Sequence, residues 1–276
     1  MKKLIFILAL SLLLSSVNFG QTRKARPVGK PAVKTTSAPK SKPVVKREPE
    51  ASAEEPKIVG LTVERYVNNI EVNSDGTSVE TLEMLQRFQS EAAIEGLSKF
   101  ERVFNGDLET AEVLETYILK ADGKKITLPP TASFIKPTPQ AEAAPSFSSL
   151  KMIEIKFDGL EKGDAAYFKI RLKTVKPMFG NHFDTLEILP AIYEWKSAEI
   201  NLTAPADYPI YAQAVDFEGG KLPVENGKQR WQWRKNNLPA REIETGMYDW
   251  LSFSPRVAVT SFKNFEELGA AFWAEA

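Results

Sequence analysis

The chain of 276 residues contains no cysteine and only one histidine, His182. The first absence excludes thiol nucleophiles, disulfides, thiolate zinc sites and lipid-modified cysteines, and the second excludes a His-rich metal centre. There is also no G-x-S-x-G nucleophile elbow and no D-x-D-x-D-G calcium loop, so a catalytic His182 is not expected. The sequence therefore assigns no catalytic, cofactor-binding or metal-ligating residue, and we predict a protein that is not an enzyme. Two carboxylates on different strands could still flank a sugar bond, but nothing in the sequence singles out such a pair.

The composition is that of a folded domain. Apolar residues make up 43% of the chain, charged residues 26%, and there are 16 Phe, 7 Tyr and 5 Trp. This is enough material for a core, and the length fits one large domain or two small ones.

Basic and acidic residues balance at 36 each, but they are distributed unevenly. Residues 1–57 hold 12 of the basic and 4 of the acidic residues, so the rest of the chain is acidic. The two regions therefore favour partners of opposite charge.

The first twenty residues read as a signal peptide. Lys2 and Lys3 precede an apolar run from Leu4 to Leu14, and residues 15–20 are mostly small or polar. The run has eleven residues, whereas a membrane-spanning helix needs about 20, so we expect no stable membrane anchor. We predict cleavage near Gly20 and export to the periplasm or the cell surface.

Residues 21–57 form a Lys/Pro-rich segment without aromatics, which cannot bury enough apolar surface to fold. We interpret it as a disordered tether. It is either a solvated spacer or a cationic arm that binds anionic envelope polymers. The lack of aromatics for base stacking argues against a nucleic-acid partner.

The region 58–262 is predicted to be an antiparallel β-sandwich, immunoglobulin-like or larger. Apolar and polar residues alternate in runs closed by Asp-Gly turns, which predicts three hairpins. The hairpin strands are 61–72 with 77–88, 111–120 with 124–128, and 152–157 with 165–175. Further strands are expected at 193–203, 210–217, 229–234 and 256–260. Many short strands without intervening long helices favour a sandwich over a parallel α/β sheet.

Two helices are expected. One covers 90–99 with Ser90 as its N-cap, and the other begins at Asn264 and runs to 275. The second helix places Phe265, Leu268 and Phe272 on one side, with Trp273 about 100° around the axis from Phe272. This apolar surface is too wide for a single contact with the sandwich, so we predict that part of it is exposed.

Two features leave alternatives open. The segment 129–149 holds five prolines, and its Phe134, Ile135 and Phe147 either fold back onto the sheet or form an interface loop. Trp231 and Trp233 share one face of a strand, and they are either core residues or an exposed platform for stacking on sugars. The alternation with Arg230, Gln232 and Arg234 favours the core. Trp195 and Trp250 cannot be assigned on these grounds.

From Tyr66 to Phe272 the order of motifs resembles an exported bacterial domain of unknown function that usually precedes a transglutaminase-like domain. The matching stretches are 112–117, 120–126, 155–157, Gly163-Asp164, Ala204-Pro205, 231–233 and 257–261. The resemblance implies a β-sandwich without an established activity and a transglutaminase-like partner in the same or another chain. It also implies that residues 263–276 begin the connection to a downstream domain, unless the module stands alone. We therefore expect a non-catalytic accessory or binding module, and the alternative is a carbohydrate- or cell-wall-binding sandwich that uses exposed Trp residues.

Overall fold

A computed structural model describes residues 60–146, 148–241 and 253–275. The predicted signal peptide and tether, together with Phe147 and Trp250, lie outside these residues. The described chain forms fourteen strands in three sheets.

The large sheet has eight strands in the order β12-β13-β10-β1-β2-β8-β4-β5. These strands are β1 (Leu61–Val72), β2 (Ser78–Phe88), β4 (Glu109–Leu119), β5 (Lys125–Thr127), β8 (Ala165–Thr174), β10 (Glu194–Pro205), β12 (Glu218–Glu225) and β13 (Lys228–Leu238).

Two three-stranded sheets complete the fold. The first small sheet has the order β3-β7-β6, and its strands are β3 (Lys99–Asn105), β7 (Leu150–Lys156) and β6 (Ser133–Pro137). The second small sheet has the order β11-β14-β9, and its strands are β11 (Tyr211–Val215), β14 (Arg256–Thr260) and β9 (Asp184–Ile188).

Both small sheets pack on the same face of the large sheet, which we call the inner face. From the first small sheet, Phe100 contacts Phe168 of β8 at a ring-centroid distance of 3.9 Å. From the second, Glu187 accepts a hydrogen bond from Tyr66 of β1. Tyr66 and Phe168 both pair with Met84 of β2, so they share a row and a face. The predicted β-sandwich is therefore confirmed, and it is larger than an immunoglobulin domain.

Two expectations about strand pairing are wrong. Strands β7 and β8 do not form a hairpin, because β7 pairs with β3 and β6 while β8 pairs with β2 and β4. The connection between them makes two turns, with Gly159 and Gly163 at positive φ, and buries Phe157 and Leu160 as it passes from one layer to the other. The sheet is also not wholly antiparallel, since β1 and β10 pair in parallel. An Asp-Gly turn shows where the chain can reverse but not which strands then pair, so it predicted a β7–β8 hairpin that does not form. The pairing of β1 with β10 joins strands far apart in the sequence, on which such turns carry no information.

The two predicted helices are present. Helix α1 (Glu91–Leu97) is capped by Ser90, whose Oγ accepts a hydrogen bond from the Ala93 N–H at 3.2 Å. The proline-rich segment 129–149 adds a one-turn 3₁₀ helix (Pro130–Ala132) and a short helix α2 (Pro139–Ala143), neither of which was predicted. The C-terminal helix α3 spans Phe265–Glu275.

Candidate functional site: the C-terminal helix and its root

Helix α3 leaves large apolar side chains in solvent. Phe265 is 48% exposed, Phe272 58% and Trp273 76%. The rings of Phe272 and Trp273 lie edge to face, with centroids 6.2 Å apart. The predicted exposure of part of this helix is confirmed. We call these three side chains the aromatic surface of α3.

The start of the helix is held firmly. The Asn264 side chain accepts a hydrogen bond from the Glu267 N–H at 2.9 Å, and the Glu267 carboxylate accepts one from the Lys263 N–H at 2.7 Å. The first bond satisfies a backbone donor that the helix N-terminus leaves free, and the second ties the residue before the cap to the first turn. Glu266 and Glu267 in the first turn also suit the positive end of the helix dipole.

Just before the cap, the chain is anchored in the sandwich. The Phe262 ring is buried and stacks on His182 at 3.9 Å, and it meets Phe179 edge to face. The backbone N–H of Ser261 donates to Phe183 O at 2.8 Å. The start of helix α3 is thus fixed to the sandwich, whereas its aromatic surface is exposed to solvent.

We call the residues that anchor the start of α3 in the sandwich the root of the helix: Phe179, His182, Phe183, Ser261 and Phe262. The single histidine is one of them. His182 Nδ1 lies 3.0 Å from Ser261 Oγ, which also accepts a hydrogen bond from the Phe183 N–H. Ser261 is only 1% exposed, so no substrate reaches its hydroxyl. Burial raises the pKa of nearby Asp184 to about 6. The hydrogen bonds of Ser261 to His182 and to the Phe183 N–H thus hold the root together, and the serine hydroxyl is not presented as a nucleophile.

The turn between β1 and β2 supports the same loop. Gly76 has φ of +81°, and a Cβ at this position would lie 2.7 Å from backbone atoms of Asn181 and His182. Tyr208 donates a hydrogen bond from its hydroxyl to Asn181 O at 2.9 Å. Position 76 requires a glycine both because of the turn and because the segment of Asn181 and His182 approaches so closely.

Trp231 and Trp233 are core residues. They lie on the inner face of β13 and are 6% and 3% exposed, which contradicts the exposed-Trp version of carbohydrate binding. Arg230, Gln232 and Arg234 point the other way, as the alternation indicated. Trp195 is also buried, and its indole N–H donates to Pro190 O at 3.0 Å.

The proline-rich segment presents two apolar side chains at the free edge of the first small sheet. Phe134 and Ile135 of β6 are both exposed, which favours the interface-loop interpretation over one in which they fold back onto the sheet. The Lys156 ammonium lies 5.1 Å from the Phe134 ring centroid.

The Gly163-Asp164 pair in the recognised motif has a structural role. The buried Asp164 carboxylate accepts hydrogen bonds from Lys120 Nζ at 2.6 Å and from the backbone N–H groups of Ala121 and Glu161. Burial alone would raise the pKa of Asp164, but these hydrogen bonds outweigh it and the pKa is lowered. The motif therefore joins the β4–β5 turn to the loop before β8.

Sequence reasoning missed a buried polar cluster, which consists of Tyr66, Asn68, Glu80, Arg102 and Glu187. Arg102 Nη2 donates to Glu80 Oε2 at 3.1 Å, Asn68 Nδ2 to Glu80 Oε1 at 3.0 Å, and the Tyr66 hydroxyl to Glu187 Oε2 at 2.8 Å. Burial, followed by the charge of Glu187, raises the pKa of Tyr66. The members come from all three sheets, so the cluster holds the two small sheets on the large one.

A small apolar cleft of about 70 Å³ opens at one end of the inner face. Its walls include Leu61, Met84, Phe100 and Trp195. Ligand pockets are typically several hundred Å³, so this cleft has room for one side chain of a partner rather than for a small-molecule substrate.

Within the described ranges, no group of three or more His, Asp or Glu side chains is arranged to hold a metal ion. No helix in this part of the chain is long and apolar enough to cross a membrane.

The geometry is that of a β-sandwich module with an outward-facing aromatic surface on a terminal helix. Residues 74–242 match the family described as a domain of unknown function with solved structure, DUF3857, and the chain belongs to that family. No curated protein matches the chain.

A solved structure shares the fold. A "putative protease" from Parabacteroides distasonis has a TM-score of 0.68 and 19% identity over 74% of this chain. The match spans 41% of that protein, so the chain corresponds to less than half of its length. An M1 zinc metallopeptidase from Deinococcus radiodurans matches 72% of this chain and 42% of its own, with a TM-score of 0.39 and 12% identity.

Proposed function

We propose that this protein is a non-catalytic accessory module of an exported envelope protein, and that α3 docks it onto a transglutaminase-like domain in the same or another chain. The observation that carries the proposal is the aromatic surface of α3, with Phe272 and Trp273 more than half exposed on a helix whose root is fixed. Contiguous exposed aromatics on a soluble-type fold are typical of a protein-binding site.

The aromatic surface has enough area to bind. A fully buried aromatic side chain removes about 150–250 Å² from water, at roughly 25 cal/mol per Å². Covering the exposed parts of Phe265, Phe272 and Trp273 is therefore worth on the order of 5–10 kcal/mol before the entropic cost of association. Such a contact is strong when the partner is linked covalently and moderate when it is separate.

The matched solved structure supports a modular role. In the Parabacteroides distasonis protein, which is described as a "putative protease", the shared fold accounts for 41% of a longer chain. The fold therefore occurs as one part of a larger protein. In the described part of the present chain, Ser261 is buried and its hydroxyl is hydrogen-bonded to His182, which favours a supporting role over catalysis.

The experiment uses the full chain and a separately produced transglutaminase-like domain from the same genome. We expect binding by calorimetry, with protection of Trp273 fluorescence from an aqueous quencher. Phe272→Ser and Trp273→Ser should each weaken binding at least tenfold, whereas the matched control Glu266→Gln should bind normally. Binding that is absent, or unchanged in both serine variants, would contradict the proposal. Peptide or glycan hydrolysis that one Asp or Glu substitution abolishes would also contradict it.

Export and envelope contact are part of the same proposal. Residues 1–20 carry the signal-peptide pattern, and residues 21–57 carry a basic, proline-rich pattern. If the tether binds anionic envelope polymers, retention on cell-wall material should fall steeply with salt, because clustered Lys and Arg act through screened charge. Retention that does not change with ionic strength would leave the tether as a spacer.

A further inference from the structure

The buried polar cluster holds two carboxyl groups but one cation. Glu80 has a complete set of partners, with Arg102 Nη2 donating to both of its oxygens at 3.1 and 3.3 Å and Asn68 donating at 3.0 Å. Glu187 is 2% exposed, and the groups that donate hydrogen bonds to it are neutral: the hydroxyls of Tyr66 at 2.8 Å and of Thr185 at 3.3 Å, and the side chain of Asn68. The Arg102 guanidinium thus forms its ion pair with Glu80. A negative charge on Glu187 would be buried without an ion pair of its own.

We propose that Glu187 is protonated in the folded domain at neutral pH, and that its neutral form keeps the second small sheet packed on the large sheet. The groups that face Glu187 are Tyr66 and Asn68 of β1, Glu80 of β2, Arg102 of β3 and Thr185 of its own strand. Burial and the charge of Glu80 raise the pKa of Glu187, against the opposing effects of Arg102 and of hydrogen bonds from Tyr66 and Asn68.

The proton makes the stability of the domain depend on pH. Unfolded glutamate ionises near pH 4.3, so above that pH folding must take up one proton at Glu187. The folded state then binds more protons than the unfolded state, and the contribution of Glu187 to stability decreases as pH rises. The decrease is about tenfold in the folding constant per pH unit, and it stops once pH exceeds the folded-state pKa.

The position of Glu187 gives this proton a consequence for α3. Glu187 pairs with Val257 of β14, and β14 leads through Ser261 into the capped start of the helix. Ionisation of Glu187 weakens the packing of the second small sheet on the large sheet, and this small sheet leads into the root of α3. The root is thus held most strongly at acidic pH, and less strongly as pH rises.

The test compares Glu187→Gln with Glu80→Gln in the full chain, by urea unfolding from pH 5 to 9. Glutamine mimics a protonated glutamate, so Glu187→Gln and the wild type should be about equally stable at pH 5. As pH rises, the folding constant of the variant relative to the wild type should increase by about tenfold per pH unit, until it reaches a plateau. Glu80→Gln leaves Arg102 unpaired, and it should lower the unfolding midpoint at every pH. Glu71→Gln, at an exposed position of β1, is the matched control and should follow the wild type throughout.

Infrared spectroscopy gives a second readout that does not depend on stability. The difference spectrum between the folded wild type and Glu187→Gln at pH 7 should show the carbonyl band of one protonated carboxylic acid, and the difference spectrum between the wild type and Glu71→Gln should lack it. The proposal is overturned if Glu187→Gln destabilises the chain equally at all pH values, or if its difference spectrum lacks this band.

Discussion

Asn68 and Asn69 are consecutive residues of β1, yet they belong to two polar networks of opposite character. Asn68 points to the inner face and donates to Glu80 within the buried polar cluster. Asn69 points to the other face and accepts a hydrogen bond at 3.0 Å from Asn201. We call the second network the outer ladder, and its members are Asn69, Glu199, Asn201, Gln232 and Arg234.

The two networks use similar groups, but they differ in access to water. In the buried polar cluster, Arg102 and Glu187 are almost completely removed from solvent, so each unmade interaction leaves a group that water cannot satisfy. In the outer ladder, Arg234 is exposed and water can replace any lost partner. The same type of interaction is therefore expected to matter several times more on one face of the sheet than on the other.

The largest effect should come from Arg102→Met, because it leaves Glu80 in the interior without its cation. We expect a loss of about 3–5 kcal/mol in the free energy of unfolding, measured by urea denaturation. Adding Glu80→Leu should recover a large part of this loss, since replacing both members of a buried pair by apolar groups is often nearly neutral. A double variant no more stable than Arg102→Met would show that the arginine acts through packing rather than charge.

A similar loss is expected when an indole is removed from the inner face. Trp233→Ala should cost about 3–5 kcal/mol, because the truncation leaves a cavity in the core. Trp273→Ala makes the same chemical change on the exposed side of α3, and it should change the free energy of unfolding by no more than about 0.5 kcal/mol. Thermal unfolding of the two variants side by side checks this, and equal effects would contradict the assignment of buried and exposed sites.

Local features of this fold were predictable from the sequence, while the pairing of distant strands was not. Strands β1 and β14 have the predicted bounds, and Ser90 and Asn264 cap the expected helices, since alternation and capping depend on neighbours in the chain. The inward side of Trp231 and Trp233 followed from the same alternation. The parallel pairing of β1 with β10 joins residues more than 130 positions apart, and no local signal specifies it.

The polar cluster was missed for a similar reason. Its members come from four strands that only the topology brings together. One signal was available in the sequence, because Phe100, Arg102 and Phe104 occupy every second position of β3 and therefore share one face of the strand. An arginine between two phenylalanines of an apolar face indicates a buried charge that needs a partner, but its partner Glu80 could not be named without the fold.

A moderate effect on the free energy of unfolding is expected at Asp164. This residue is intermediate between the buried polar cluster and the outer ladder, because it is buried but hydrogen-bonded mainly to backbone groups near the surface. Asp164→Ala should lower the free energy of unfolding by about 1.5–3 kcal/mol. Since the folded-state pKa of Asp164 is lowered, its contribution is present above the ordinary pKa of an aspartate and is lost as pH falls through the lowered value. The difference between wild type and variant, measured by urea unfolding, should therefore shrink at strongly acidic pH.

The exposed Asp158→Ala is the control for this series, and it should show neither the loss nor the pH trend. A difference between wild type and Asp164→Ala that stays constant into strongly acidic pH would mean that the carboxylate charge is not what holds the turn.

The smallest effect should be found in the outer ladder. Glu199 accepts hydrogen bonds from Asn201, Gln232 and Arg234, and those from Asn201 and Arg234 help to lower its pKa despite partial burial. Glu199→Gln keeps the shape and removes the charge, so we expect a loss of at most about 1 kcal/mol at low salt. Salt screens the attraction to Arg234, and the difference from wild type should become smaller still near 1 M salt. Urea unfolding at two ionic strengths measures both quantities. A loss as large as that of Arg102→Met, or one that salt does not reduce, would show that access to water is not what separates the two faces of β1.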